Sequence, residues 1–172
     1  MSCVVACSSL ADASDAIHRG FVPATWLLVL QLHLFLDGKA RMAVAAAVDG
    51  ARLRLEDARC RTLLTEFGDA DGRPLTAKLE ATGQTAADYL AGVYFVAGDE
   101  RRCRADDVTT AFTMPGSRVV HVCVNRFAER FAVKTRDGEL LILHELLHTL
   151  GLMENPPSST AISAVVRERC GP

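Results

Sequence analysis

The strongest pattern of apolar and polar residues lies in residues 138–157, which read GELLILHELLHTLGLMENPP. Leucine and isoleucine occupy nearly every side of a helix drawn over this segment, so the pattern predicts a buried helix rather than an amphipathic one. Asp137 is a suitable N-cap, Glu139 suits the first turn, and Gly151 is a natural stop at the carboxyl end. We expect the rest of the chain to be organised around this helix.

Weaker patterns predict further elements along the chain. Helical patterns mark four segments: 40–55, 74–83, 85–92 and 158–170. Residues typical of β-strands mark three segments: 93–98, 108–113 and 118–127. Residues 61–67 fit either a strand or a short helix. Turns, loops or linkers are expected in four places: 68–74, 99–107, 114–117 and 128–138.

Three polar residues within the buried helix have an order that suits metal binding. His144, Glu145 and His148 form the pattern H-E-x-x-H. Residues i and i+4 project from one helix face, so the two imidazoles can bind one ion, and the glutamate can reach a water on it. Polar groups on a buried helix must be satisfied, and a metal with its water does so. The alternative is a core helix that carries these residues by chance.

The residues after the motif extend it to H-E-x-x-H-x-x-G-x-x-E. Gly151 can take a left-handed conformation that ends the helix and turns the chain back. Glu154 could then reach the metal as a third ligand. Asn155 and the two prolines after it cannot continue a helix and could hold Glu154 in place.

This stretch resembles the active-site helix of zincin metallopeptidases, and its extended form resembles that of the metzincin group. The resemblance matches His144 and His148 to the first two zinc ligands. It matches Glu145 to the general base and Gly151 to the glycine of the turn. The resemblance covers residues 138–157 and is specific for the chemistry rather than for the substrate.

The sequence departs from the metzincin pattern in two places. Glu154 stands where that group has a histidine, or sometimes an aspartate, and no methionine follows Met153 to form the group's methionine turn. In the thermolysin-like branch, the third ligand is a glutamate on a downstream helix, which makes Glu168 the alternative. That branch usually has asparagine four residues earlier, where this chain has Ala164. A solvated side chain is the other interpretation of Glu168.

The resemblance also implies a fold and a way of binding substrate. The expected fold is α+β: a compact, minimal zincin-like domain with a small, mainly antiparallel sheet packed on the buried active-site helix. In zincins an antiparallel edge strand above that helix binds extended peptide by main-chain pairing. The candidates for this strand are segments 118–127 and 108–113, and an ordinary internal strand is the alternative for 118–127.

Length and composition are those of a single globular domain. The chain has 172 residues, of which 49% are hydrophobic and 23% charged. Its net charge of −2 provides no basic surface for nucleic acid. Aromatic residues make up 6%, which leaves little for stacking on bases or sugars.

The amino-terminal region contains an apolar run, residues 26–36, that is too short to span a membrane. Its length fits the core of a signal peptide, whereas the acidic residues Asp12 and Asp15 do not fit such a leader. An amphipathic helix is the alternative. We therefore divide the chain into a leader-like segment, residues 1–38, and one domain, residues 39–172.

Six cysteines are many for a chain of this length in a reducing compartment. Two lie in the leader-like segment, and the other four are Cys60, Cys103, Cys123 and Cys170. This even number suits two disulfides and a secreted or periplasmic protein. Of the three possible connectivities we expect Cys60–Cys103 and Cys123–Cys170, and buried reduced thiols are the alternative.

These features together predict a small zinc-dependent hydrolase that acts on peptides or proteins. His144, His148 and Glu154 would hold the zinc and leave a position for water, whose proton Glu145 would take and pass to the leaving amine. Three residues are candidates for steadying the oxyanion: Tyr89, Tyr94 and His121. A secreted binding module in which zinc is only a structural staple is the second hypothesis. A metal-dependent hydrolase of other substrates is the third.

Overall fold

The computed structural model describes residues 32–171, which form a compact α+β unit, so the expected fold class is confirmed. The helices are α1 (Gly38–Arg54), α2 (Ala58–Arg61), α3 (Leu63–Glu66), α4 (Thr76–Thr82), α5 (Ala86–Ala91), α6 (Glu100–Arg104), α7 (Val124–Phe131), α8 (Thr135–Leu150) and α9 (Ser159–Cys170). The strands are β1 (His33–Phe35), β2 (Tyr94–Ala97), β3 (Ala111–Thr113) and β4 (Val119–Val122).

The described strands form one sheet in the order β1-β2-β4-β3. β1, β2 and β4 run parallel to one another, and β3 is antiparallel to β4. The expectation of a mainly antiparallel sheet was therefore wrong. Parallel neighbours need a crossover connection rather than a tight hairpin. Helices α1 to α5 lie between β1 and β2 along the chain and supply that connection.

Helix α8 is the central element of the core, as its apolar pattern predicts. It packs against α1, α7 and α9, and against the sheet at β3 and β4. Every residue from Ile142 to Leu150 is buried, including leucines on all sides of the helix. Complete burial of one leucine or isoleucine contributes about 1.5–3 kcal/mol, so packing holds this helix firmly in place.

Several shorter elements follow the sequence pattern. α1, α4, α5, β2 and α9 cover segments predicted as helix or strand, and residues 61–67 are mostly helical. Gly83 ends α4 in the left-handed conformation with a φ of 63°. The Ser158 hydroxyl caps α9 by accepting a hydrogen bond from the N–H of Ala161.

The segment predicted as the strand 118–127 differs from the prediction. The strand ends at Val122, and α7 begins at Val124. Phe127 and Phe131 lie four residues apart, on the same helix face, and their ring centroids are 4.8 Å apart. The prediction had divided this helical pair between a strand and a linker.

The starts of two other helices, α6 and α8, also differ from the prediction. The charged segment 99–107, expected to be a loop, contains α6, because the Asp99 side chain accepts a hydrogen bond from the N–H of Arg102 and caps a short helix. Helix α8 begins at Thr135, so Asp137 lies in its first turn rather than at the N-cap. A carboxylate in the first turn still interacts favourably with the helix dipole.

The described chain begins within the apolar run 26–36. The last part of that run is strand β1, not a helix, and its residue His33 packs on the ring of Tyr94 with 4.4 Å between centroids. Most of the leader-like segment falls on residues 1–31, outside the described residues, and the boundary at 38/39 stays a prediction. None of the described helices is long and apolar enough to cross a lipid bilayer.

Two disulfides join the four cysteines of the described chain, but the expected pairing was wrong. Cys60 is bonded to Cys170, and Cys103 to Cys123. The first bond forms where α2 packs on α9, with 4.6 Å between Cα atoms. The second joins α6 to the residue after β4. Both bonds depend on contacts between distant elements, which cysteine spacing does not reveal. They are compatible with an extracellular location.

The two disulfides should differ in their contribution to stability. The first closes a separation of 110 residues and the second one of 20. Loop-closure entropy then predicts that the Cys60→Ala/Cys170→Ala protein loses about 1–2 kcal/mol more unfolding free energy than the Cys103→Ala/Cys123→Ala protein. Urea unfolding of both proteins measures this difference. An equal or larger loss for the second pair would show that loop length does not govern the effect.

Candidate metal centre

The two histidines of the H-E-x-x-H motif line one cavity from the carboxyl-terminal half of α8. Both His144 and His148 are buried. Their ring centroids are 4.9 Å apart, and their Nε2 atoms are 3.1 Å apart. The helical spacing therefore brings one nitrogen of each ring to the same point.

Gly151 ends α8 and turns the chain back toward the histidines. Its φ of 120° is strained for a residue with a Cβ, and an added Cβ would lie 3.1 Å from the Cβ of Asp69. The N–H of Leu152 donates to the carbonyl of Leu147 at 3.1 Å and closes the turn. The reversed chain carries the carboxylate of Glu154 next to the imidazoles.

Three side-chain atoms form a triangle that fits the coordination shell of one ion. Glu154 Oε1 lies 3.4 Å from His148 Nε2 and 3.7 Å from His144 Nε2. The two nitrogens are 3.1 Å apart. Ligands bound at about 2.0–2.1 Å in a tetrahedral zinc site lie roughly 3.3 Å from one another. The group of His144, His148 and Glu154 could therefore hold a metal ion.

The second nitrogen of each imidazole also has a partner. His148 Nδ1 lies 2.8 Å from the carbonyl oxygen of Leu152, which can only accept, so this nitrogen carries the proton. His144 Nδ1 lies 3.0 Å from the hydroxyl oxygen of Ser163, which can accept in the same way. Such bonds orient metal-binding histidines and leave the Nε2 lone pairs for the ion.

The surroundings of His144 also favour its neutral form. Burial, followed by the effect of His148, lowers the pKa of His144 to about 4, although Glu154 acts in the opposite direction. The imidazole is therefore neutral at pH 7. This is the protonation state that binds metals.

Glu145 is a buried carboxyl that lines the same cavity. Its Oε2 atom is buried and has no hydrogen-bond partner among residues 32–171. Burial raises the pKa of Glu145 to about 8, with a further contribution from Glu154 and an opposing one from Arg102. A buried carboxyl without a partner lowers stability, and this one can interact with a molecule that enters the cavity.

The cavity that contains these groups has a volume of about 510 Å³. Residues from α6, β3 and α8 line it together with the start of α9. Small-molecule sites in proteins have volumes of about 300–1,000 Å³, so there is room for part of a substrate next to the triad.

β3 is the strand that lines this cavity, and it lies at one end of the described sheet. β4 lies between β2 and β3 and is therefore internal. The N–H of Cys123 donates to the carbonyl of Thr110 at 3.0 Å, so these two residues form a hydrogen-bonded pair. The next pair along the strands, Ala111 and Val122, is then a non-hydrogen-bonded pair. By the alternation of antiparallel pairs, the main-chain groups of Ala111 and Thr113 face away from β4.

Glu168, the alternative third ligand, is not brought to the histidines. Its side chain is 62% exposed, and its Oε1 atom lies 3.3 Å from Nη1 of Arg169. The group of residues that could hold a metal does not include it. Among the two glutamates considered, Glu154 is thus the one adjacent to the imidazoles.

The three residues considered for oxyanion stabilisation do not line the cavity. Tyr89 is buried, and its hydroxyl donates to the carbonyl of Thr149 at 3.0 Å. Tyr94 stacks on the imidazole ring of His33 in β1. His121 stacks on Phe112 with 5.1 Å between ring centroids.

Two residues near the site were missed by the sequence analysis. Ser163 lies on α9 and contacts His144. Metal-binding histidines usually donate their second N–H to an acceptor, so a partner for His144 is expected, but nothing in the sequence identifies Ser163 as that partner. Arg102 lines the cavity, but it belongs to a run of arginines in which no local pattern distinguishes it from its neighbours.

Metal binding can be tested on the purified protein. After incubation with zinc and dialysis, inductively coupled plasma mass spectrometry should find about one ion per chain. His148→Ala and Glu154→Ala should each lose most of it, because each removes one atom of the triad. His121→Ala and Glu168→Gln are controls that should retain the metal. Full retention by His148→Ala would contradict the site.

The hydroxyl of Ser163 should strengthen metal binding through His144. Ser163→Ala should weaken the zinc affinity about tenfold, because the imidazole loses the group that orients it. Competition with a chromophoric chelator measures the dissociation constant. Ser159→Ala is the matched control, since Ser159 also lies on α9 and lines the cavity but is not the partner of His144. An unchanged affinity in Ser163→Ala would exclude this role.

Comparisons with known proteins identify no family for this chain. No protein-family profile matches it, and no curated protein or solved structure is significantly similar to it. Its function is therefore inferred from the geometry of the candidate metal centre.

Proposed function

We propose that this protein is a zinc-dependent peptidase of the zincin type. The observation that carries the proposal is the convergence of three potential metal-ligating atoms and one buried carboxyl, whose Oε2 atom has no hydrogen-bond partner among residues 32–171, in a single cavity. Two imidazoles and one carboxylate with a position left open are a donor set typical of catalytic zinc. The order of these residues in the chain resembles the metzincin motif.

The residues of the cavity have separate roles in this proposal. Zinc bound by the triad would supply Lewis acidity toward water and toward a substrate carbonyl. His144 and His148 would bind through Nε2, and Glu154 through Oε1. In its ionised form, which a cation bound beside it would favour, Glu145 would accept a proton from the attacking water at Oε2 and later donate it to the nitrogen of the leaving amine.

The position of β3 supports an extended peptide as the substrate. Its outward-facing main-chain groups belong to residues that line the cavity, Ala111 and Thr113. An extended peptide could pair with them as an additional strand, and its scissile bond would then lie beside the triad. Main-chain pairing of this kind is compatible with many side chains and does not define a cleavage specificity.

The competing hypothesis is a secreted binding module in which the metal is only a staple. A structural zinc site has four protein ligands. Within the described chain the cluster contains three, and Glu168, the residue considered as a fourth, lies outside it. The cavity beside the triad also offers space for a substrate. These observations favour the peptidase.

We also propose that the peptidase acts in a secreted or periplasmic setting. All four cysteines of the described chain are in disulfides, which are rare in reducing compartments.

The role of Glu145 provides the sharpest test of the mechanism. Glu145→Gln keeps the size of the side chain but cannot accept the proton, so kcat for a casein-derived peptide library should fall at least about 100-fold. Zinc content should remain at the wild-type level, because Glu145 is not part of the triad. Mass spectrometry of the cleavage products and of the metal measures both quantities on the same sample.

The matched control for this variant is Glu168→Gln. It makes the same chemical change on the neighbouring helix, at an exposed carboxylate outside the cavity. Its activity should stay within about twofold of the wild-type value, as is usual for surface positions. A Glu145→Gln protein as active as the wild type would exclude the proposed mechanism.

A further inference from the structure

Arg102 is an exposed cation at the edge of the metal cavity. It lies on α6 and lines the cavity together with His144, Glu145 and Glu154. Its guanidinium carbon is 4.1 Å from the centroid of the Phe112 ring, on which it is stacked. It forms no salt bridge with any carboxylate of residues 32–171. Its charge is therefore available to a molecule in the cavity.

The neighbouring arginines of α6 are arranged differently. Arg104 forms a salt bridge with Glu100 on the same helix. Arg101 borders a separate, shallow depression with those two residues and does not line the metal cavity. Of the three arginines on this helix, Arg102 alone lines the metal cavity, and its guanidinium forms no salt bridge within the part of the chain that the structure describes.

Several contacts fix the position of Arg102. The Asp99 side chain accepts a hydrogen bond from its backbone N–H at 3.0 Å. The next residue, Cys103, is bonded to the residue after β4. Gly98 allows this close approach, because a Cβ there would lie 3.0 Å from the Cys103 sulfur and 3.2 Å from the Phe112 ring. These contacts fix the backbone of Arg102, and the stacking on Phe112 orients its guanidinium, which reduces the freedom lost when it binds a ligand.

Asp106 also lines the cavity and lies four residues after Arg102 in the chain. Its carboxylate is already occupied by other hydrogen bonds. Its carboxylate accepts hydrogen bonds from the N–H groups of Val108 and Thr109 at 2.7 and 2.6 Å, and from the Thr109 hydroxyl at 2.8 Å. Those bonds lower the pKa of Asp106 and hold its charge in the turn before β3. It therefore stabilises this wall of the cavity.

We propose that Arg102 is a specificity-determining residue that binds a carboxylate of the substrate next to the bond to be cleaved; this rests on the peptidase function proposed above. A planar guanidinium can donate two parallel hydrogen bonds to a carboxylate. The carboxylate can be an Asp or Glu side chain or the carboxyl terminus of a peptide. In the second case the protein removes residues from the carboxyl end.

Three peptides that are identical up to the scissile bond separate the two sources of the carboxylate. The first has glutamate after the scissile bond and an amidated terminus, the second has glutamine there and an amidated terminus, and the third has glutamine and a free terminal carboxylate one residue after the bond. Wild-type protein should cleave the first or the third with a kcat/KM about tenfold above that of the second. The preferred peptide identifies the source.

Substitution of Arg102 tests whether this side chain causes the preference. Arg102→Gln should lower the ratio of kcat/KM between the preferred peptide and the neutral peptide about tenfold, because any effect of Arg102 on Glu145 changes the cleavage of both peptides equally. Arg102→Lys should keep part of the preference, because it retains the charge without the planar fork. Arg101→Gln is the matched control and should behave as the wild type. An equal loss on all three peptides, or an unchanged preference in Arg102→Gln, would overturn the proposal.

A binding measurement separates this proposal from the peptidase function itself. Fluorescence anisotropy with labelled forms of the same three peptides, on zinc-loaded Glu145→Gln protein, reports recognition without turnover. Tighter binding of a carboxylate peptide that is lost in the added Arg102→Gln substitution supports the role of Arg102 even if the wild type cleaves none of the peptides. Equal binding of all three peptides overturns it.

Discussion

Two imidazole nitrogens 3.1 Å apart inside a protein need a positive group between them or a proton on one of them. The Leu152 carbonyl keeps the His148 proton on Nδ1. A proton on His144 Nε2 would then join the rings by a hydrogen bond, with Ser163 as donor to His144. The position of Glu154 indicates a metal ion rather than a proton between the two nitrogens. Its oxygen lies 3.4 and 3.7 Å from the two nitrogens, longer than hydrogen bonds of about 2.7–3.2 Å but similar to the spacing of ligands around one ion.

The packing around α8 makes this arrangement informative about function. The helix is buried from Ile142 to Leu150, and polar groups in such surroundings lower stability unless they are paired. If the helix served only for packing, apolar residues of similar volume at the polar positions would give equal or greater stability. The Oε2 atom of Glu145 in particular has no hydrogen-bond partner within the described part of the chain. Its position is understandable if its partner is a molecule that enters the cavity.

The site could be predicted because its residues are close in the chain. Helical spacing sets the distance between the two histidines, and the conformational freedom of Gly151 returns Glu154 to them. The sheet could not be predicted in the same way, since the direction of pairing between β1 and β2 depends on the crossover made by five helices. The disulfides likewise depend on which distant elements meet. Phe127 and Phe131 carried a helical signal, but the β-branched run before them obscured it.

The cavity combines a part that local sequence determines with a part that only the tertiary fold determines. The triad and Glu145 belong to α8 and the turn that follows it. Arg102 reaches the same space because α6 is joined to the residue after β4 through Cys103 and Cys123. If that bond opened, the cation would lose one of the contacts that fix it. The other disulfide, Cys60–Cys170, holds α9, the helix that carries Ser163, the partner of His144. The two disulfides therefore support different parts of the same cavity: one supports its rim, and the other supports the helix whose hydroxyl orients His144.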